Sequence, residues 1–486
     1  MRLLPLNFMI QTISSVPIPL MSLEDTPYNR CMLKFSPNYF QRGSFSKALS
    51  IPVDYESIKK FVKKVSLKED ISFADSMYRF FKLCLEAGPR EKLFRYSATE
   101  NDFTTKDLDQ RGFSFPCSFL GLISEKGIHV YSTLKKSVFL GKGSYKTVIA
   151  GLEAFVLHEN IPNFSQPFMR PCAISTVEGS YSVKTVKTGI AIQESILSIP
   201  GAEQYFVKPP YLKMSFGLRQ MQMVSSYDHS SLDKAIFSQS IQEIPERLGG
   251  LEAIALDTSD FIRFCKKIVD GVEFLGKNGF FHKDIKLENI FLKIEPNGQV
   301  NPYIADFDLA TQKSIHNTVD RSFHYWNKAC QIGYASIETD LFGLVLTIAE
   351  TLLLGENRVS YVDNKKFYQD VLFNKEATKA CKWVLHKGSL TKDAFDKVFD
   401  LLEKMLRADY LSGVFLNEQI QKAERLSTLP LNSIERYKEG TLSLKDKDDY
   451  LHFLEEEALK SFEQYPFPII AEIKSILDAC EVEVFK

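Results

Sequence analysis

The chain has 486 residues, enough for two or more domains that each bury a core. Its composition, 44% hydrophobic, 12% aromatic and 25% charged, excludes a disordered or fibrous protein. Lys+Arg 60 against Asp+Glu 61 leave a net charge of −1, so the overall balance asks for neither nucleic acid nor an anionic membrane as partner.

Eight cysteines lie scattered without CxxC or Cys/His clusters, which argues against a disulfide framework or a zinc site and fits a reducing, cytoplasmic compartment. The most apolar helical stretch, Leu341 to Leu354, is interrupted by Gly343 and Glu350, so no transmembrane segment is expected. At the start, Pro5, Gln11, Pro17 and Pro19 break any hydrophobic signal region. This argues against a cleaved signal peptide and leaves an uncleaved export signal open.

Residues 1–131 read as a separate N-terminal region of unknown function that can bind a partner. Within it, Ile58, Phe61, Val62 and Val65 recur at helical spacing between lysine pairs and predict a surface helix over Ser57–Val65. From about Ser132 the texture changes to short strands and glycine turns, then to long helices after about Thr258. That order predicts an α+β protein with a small sheet-rich lobe followed by a helical one. Beyond about Tyr410, charged helices such as Tyr450 to Phe462 alternate with polar turns, so residues 411–486 read as a helical C-terminal extension.

Near the start of the sheet-rich part stands FLGKGSYKTVIAGLE, Phe139 to Glu153. It opens like a loop that covers nucleotide phosphates, but carries lysine where such loops place their last glycine. Alone it is a weak signal, since glycine-spaced loops are common.

The most informative window runs from Phe261 to Ala310. Phe261, Cys265, Ile268, Val269 and Val272 form a helical apolar stripe that Lys277-Asn278-Gly279 ends with turn chemistry. After the polar string HKDIKLEN, Ile290–Ile294 and Val300–Ala305 read as a hairpin around the turn Glu295-Pro296-Asn297-Gly298. Such a hairpin brings Asn289 and Asp306 to one point, and both carry oxygen ligands. Magnesium prefers a few such oxygens plus water and substrate phosphates. Asp284 would sit beside that site, placed to accept a proton.

This window resembles the eukaryotic-type serine/threonine protein kinases. The expected H-R-D-L-x-x-x-N stands as His282-Lys283-Asp284-Ile285-Lys286-Leu287-Glu288-Asn289, and D-F-G as Asp306-Phe307-Asp308. The resemblance implies a two-lobed protein-kinase-like fold, a small antiparallel β lobe plus a larger helical lobe, over residues 132–410. It implies ATP and Mg²⁺ as cofactors and a protein substrate, with Asp284 as catalytic base, Asn289 and Asp306 as metal ligands, and Lys286 near the transferred phosphate. Asp340 to Leu346 looks like the start of the family's buried helix, whose aspartate braces the catalytic loop. Met221 to Ile236 resembles the hinge strand and linker, with Val224 as gatekeeper.

Kinases of this class pair a third-strand lysine with a glutamate on the following helix. Glu194 fits the glutamate, facing inward, but Ser175 stands where the lysine should be. A developing phosphoryl transition state without cationic support loses much of its stabilisation. The segment Leu140, Gly141, Lys142, Gly143, Ser144, Tyr145, Lys146, Thr147, Val148 is similar to the glycine-rich loop of the with-no-lysine kinases. There the loop's last glycine position supplies the phosphate-binding lysine, here Lys146. Lys184 and Lys187, on an apparent strand after an EGS turn, are the alternatives.

Three departures stand beside the match. Asp308 replaces the D-F-G glycine, Lys283 replaces the arginine that would clamp a phosphorylated loop, and no A-P-E occurs near Tyr325 to Lys328. Ser314 and Thr318 follow as exposed-loop hydroxyls. The reading is therefore an ATP-dependent protein kinase, with a pseudokinase scaffold as the alternative and a kinase-fold enzyme acting on a small molecule or lipid as a third. A divergent kinase core behind an unmatched leader also resembles the eukaryote-like kinases that intracellular bacteria export into host cells.

Overall fold

The computed structural model describes the strands and one hairpin between residues 31 and 157 and residues 168–238 apart from 217 and 228. It also describes residues 240–241, 254–312 apart from 296, 337–354, 392–463 and 468–484. The helix expected at Ser57–Val65, the A-P-E position at Tyr325–Lys328, Ser314 and Thr318 lie outside these residues. The chain divides into two units, Met1–Lys187 with Pro209–Asp228 and Glu243–Glu252, and Thr188–Lys208 with His229–Gln242 and Ala253–Lys486. The first is built on a sheet and the second on helices, which is the expected α+β division.

Among the described residues the first unit holds ten antiparallel strands: β1 (Cys31–Phe35), β2 (Leu49–Ser50), β3 (Lys92–Tyr96), β4 (Phe119–Ser124), β5 (Gly127–Thr133), β6 (Phe139–Lys142), β7 (Lys146–Leu157), β8 (Phe168–Glu178), β9 (Leu212–Phe216) and β10 (Gln220–Ser226). They pair in the order β1-β9-β10-β8-β7-β5-β4-β3, with β6 on β7 and β2 on β8. The long central strands β7 and β8 are rich in β-branched and aromatic residues, which suit a pleated sheet. Pro171 of β8 lies opposite Leu152 of β7 and, on the other side, between the stretches that pair with β2 and with β10. Strand β5 spans the expected 131/132 boundary, and the sheet continues through it into β4 and β3.

After β8, a turn at Gly179 leads into helix α1 (Ser180–Leu197). This corrects the strand expected for Lys184 and Lys187, which are both exposed helix residues. Val183, Val186, Ile190, Gln193 and Ile196 are buried, recurring every three or four residues as a helix requires.

The second unit contains the C-terminal part of α1, three short strands β11 (His229–Ser231), β12 (Ser240–Ile241) and β13 (Ile254–Ala255), and the hairpin β14 (Ile290–Ile294) with β15 (Val300–Ile304). Its further helices are α2 (Leu232–Ser238), α3 (Thr258–Lys277), α4 (Ile337–Ala349), α5 (Lys392–Arg425), α6 (Ser433–Lys438), α7 (Leu444–Glu463) and α8 (Ile469–Val484). Helix α5 runs through the expected 410/411 boundary. Its first half packs into the main core, while Leu416, Ile420 and Ala423 join Tyr437, Tyr450 and Leu454 in a smaller one.

Helix α8 belongs to the main core, to which it contributes Ile469, Ile473, Leu477 and Cys480. Ion pairs flank that seam: Lys474 with Asp270 and Glu273, both at 2.8 Å, and Lys266 with Asp478 at 2.7 Å and with Glu481. Most of the adhesion is apolar, since ion pairs as exposed as these contribute little each. Leu477 is fully buried. Leu477→Ala is expected to destabilise the helical unit by about 2–5 kcal/mol, read as a lower urea midpoint of the full chain.

Candidate active site

Helix α3 leads into the site. Asp257 caps it, accepting from the Asp260 backbone N–H at 2.9 Å, and Asn278 ends it before Gly279 at φ +72°. Its buried face carries Ile262, Cys265, Ile268, Val269, Val272 and Leu275, while Phe261 is only half-buried. Burial pushes the Cys265 thiol up, so it is a core group and not a nucleophile.

The string His282–Asn289 is held from below by helix α4. Asp340, fully buried, accepts the backbone N–H groups of His282 and Lys283, each at 2.6 Å. This is the brace expected from the sequence. The approach is close because Gly343, one turn on, has no side chain; a Cβ there would lie 2.7 Å from the carbonyl oxygen of Ile285. Asp340→Ala would leave two buried N–H donors unpaired, with an expected loss on the order of 3 kcal/mol. Thermal unfolding would report that loss, and kcat should fall more than nucleotide affinity.

His282 is fixed in one tautomer. Its Nδ1 accepts from the Asp284 backbone N–H at 3.3 Å, so the proton sits on Nε2, which donates to the Ala305 carbonyl at 2.9 Å. Ala305 in turn donates its backbone N–H to the Asn289 carbonyl at 2.8 Å, in register with the hairpin pair Ile290 and Ile304. The hairpin therefore brings Asn289 beside Asp306, as its spacing predicts.

Asp284 is 9% exposed, and its two carboxylate oxygens differ. Oδ2 accepts from Lys286 Nζ at 2.7 Å and from Asn289 Nδ2 at 3.0 Å. Oδ1 is buried and has no hydrogen-bond partner among the described residues. Asn289 Nδ2 also donates to the Asp284 carbonyl at 2.8 Å, which leaves the amide oxygen as the atom that can ligate a cation. Asp306 adopts a left-handed backbone, φ +65° and ψ +67°, a conformation that costs a non-glycine residue and recurs at functional sites. Phe307 anchors that turn, buried edge-on against His282 at 4.8 Å and Phe206 at 5.7 Å between ring centroids.

An amide oxygen and a carboxylate are hard donors. Among the described residues no three His, Cys, Asp or Glu side chains gather into an all-protein metal cage. The pair Asn289 and Asp306 fits a cation such as Mg²⁺ that takes its other ligands from phosphate and water.

In the sheet unit, Gly141 and Lys142 of β6 pair with Val148 and Thr147 of β7, and the hairpin closes with Gly143 N–H donating to the Lys146 carbonyl at 2.9 Å. Leu140 lies in β6, Ser144 is exposed at the tip, and the Tyr145 ring lies 6.3 Å from that of Tyr181. Ser175, 7% exposed, lies in β8 opposite Val148 on one side and Met223 on the other. Lys146 lies opposite Val177. Because side chains alternate along a strand, Lys146 and Ser175 share one face of the sheet, two residues out of register. Val224, fully buried, lies in β10 opposite Ile174.

Glu194 does not face inward as expected; it is exposed. The buried polar side chain of that helix is its neighbour Gln193, whose Nε2 donates to the Val207 carbonyl at 2.7 Å. A helix turns about 100° per residue, so the two point apart. Sequence reasoning also missed Gly189 and Gly343, whose signal was a glycine inside a helical apolar pattern.

A search of curated proteins finds no match to the chain. No described helix is long and apolar enough to cross a membrane. A family model described as protein kinase domain matches residues 232–412. That span begins at α2, contains the string His282–Asn289, the turn Asp306-Phe307-Asp308 and helix α4, and ends within α5. The sheet unit and helical unit thus have a two-lobed, kinase-like architecture, and residues 232–412 are similar to a protein kinase domain.

Proposed function

We propose that the chain is an ATP- and Mg²⁺-dependent protein kinase that transfers the γ-phosphoryl group to serine or threonine hydroxyls, with residues 132–410 as the catalytic part. The observation that carries this reading is the buried Oδ1 of Asp284, which has no hydrogen-bond partner among the described residues, next to Asn289 and the left-handed Asp306. An acceptor hydroxyl donating to Oδ1 would satisfy it, be oriented for in-line attack, and lose its proton there. Lys286, already on Oδ2, adds positive charge beside the reacting phosphoryl group. Asn289 and Asp306 would hold Mg²⁺, which when bound neutralises the phosphates. Lys146, on the same sheet face as Ser175, takes over the phosphate-binding role that Ser175 cannot fill, and the loop from Gly141 to Val148 covers the phosphates.

The test is transfer of label from γ-labelled ATP to protein serine and threonine, abolished by chelating Mg²⁺ and by Asp306→Ala. A pseudokinase is the second reading, favoured by Ser175 and by the exposed Glu194. Mg²⁺-dependent ATP binding without any transfer by the wild-type chain would select it.

A further inference from the structure

Gly189 occupies the middle of α1, where glycine is a poor helix former, and it is buried. A Cβ at this position would fall on the carbonyl oxygen of Phe307 and lie 2.6 Å from Cα of Asp308 and 2.9 Å from the carbonyl carbon of Phe307. All three are backbone atoms, which cannot swing aside as a side-chain tip can. The helix and the Asp306-Phe307-Asp308 turn therefore pack backbone against backbone. On its other side the turn is pinned by the Phe307 ring between His282 and Phe206, and by the mutual backbone hydrogen bonds of Thr311 and Phe281 at 2.8 Å. The left-handed residue at its start is Asp306.

We propose that Gly189 is a positioning residue for the metal turn: the bare helix backbone is the wall that keeps Asp306 in its left-handed, metal-ready conformation. Packed interiors do not deform continuously, so adding one methyl group must displace either the helix or the turn. With Phe307 held by two aromatic neighbours, displacement of the turn falls on its ends, Asp306 and Asp308. Asp308 cannot relieve the clash as a glycine would, because its own Cβ restricts the backbone. This rests on the reading of Asp306 as a metal ligand.

The experiment is titration of Mg²⁺ into the full chain with a non-hydrolysable ATP analogue, followed by calorimetry, for wild type and three variants. Gly189→Ala should raise the apparent Mg²⁺ dissociation constant about tenfold or more. Gly189→Ala combined with Asp308→Gly should recover most of that loss, since glycine lets the turn step back. Gly271→Ala is the control. Its Cβ would meet Ile304 Cδ1 at 2.9 Å in the same unit without touching the turn, so it should lower the melting temperature and leave Mg²⁺ affinity unchanged. Unchanged Mg²⁺ affinity in Gly189→Ala, or equal losses in Gly189→Ala and Gly271→Ala, would overturn the proposal. No Mg²⁺ dependence in the wild type would overturn the metal-site reading itself and the proposal with it.

If Gly189→Ala does not fold, hydrogen exchange on the wild type decides. Mg²⁺ with the analogue should protect residues 188–193 and 306–310 together. Protection of the turn with the helix unchanged would overturn the proposal.

Discussion

Asp284→Asn is expected to lower the rate of γ-phosphate transfer by about 10²–10⁴-fold, the usual range for removing a general base, while leaving the KM for ATP close to wild type. The substitution keeps the shape. The amide oxygen can still accept from Lys286 and Asn289, as Oδ2 does at 2.7 and 3.0 Å. The amide NH₂ then takes the position of Oδ1, where it can donate to an acceptor hydroxyl but cannot take its proton. Stability should change little or fall slightly, because the amide nitrogen replaces a buried oxygen that has no hydrogen-bond partner among the described residues, and the ion pair with Lys286 becomes a neutral hydrogen bond. A nearly unchanged melting temperature with a much lower kcat is thus the expected pair of results. Equal initial rates for the two proteins would remove Asp284 from the mechanism.

The second large effect belongs to the phosphate-binding cation. Lys146→Met should lower kcat/KM for ATP by roughly 10²–10³-fold, the scale of losing one preorganised transition-state contact, whereas Lys184→Met should stay near wild type. The sheet register separates these two. Lys146 is half-buried on β7 and shares a face with Ser175 on β8, so a lysine stem from the neighbouring strand can serve where Ser175 has no charge. Lys184 and Lys187 are solvent-facing positions on α1. Steady-state kinetics over ATP concentration checks the prediction. Loss of activity in Lys184→Met with Lys146→Met unaffected would return Lys146 to the surface of the sheet.

The parts of the site legible in the sequence are those held together by local geometry. The string from His282 to Asn289, the hairpin that follows and the end of α3 at Asn278 depend on neighbours in the chain, and their spacing fixed them. Asp340 was legible through the resemblance alone, as the aspartate of the family's buried helix, and here it accepts two backbone N–H groups. What failed was orientation and long-range pairing. The valines and threonines of YSVKTVKT favour strands locally, and burial along α1 overrode them. Ser175 and Glu194 were placed by their positions along the chain, but position alone does not fix helix rotation, and Gln193 took the inward position. The join of β5, β4 and β3 to the central sheet depends on partners distant in sequence, which no single segment advertises.

Helix α8 carries a consequence for biogenesis. The apolar faces of α3 and α5 are closed by Ile469, Ile473 and Leu477, all downstream of the matched kinase span. A nascent chain can therefore display its complete catalytic loop on the ribosome and still lack the wedge that closes the core beneath it. At about 5–20 residues per second, the interval between synthesis of Asp306 and of Leu477 lasts on the order of ten seconds or more. During that time the half-made lobe presents a greasy seam, a substrate for chaperones before its core is complete.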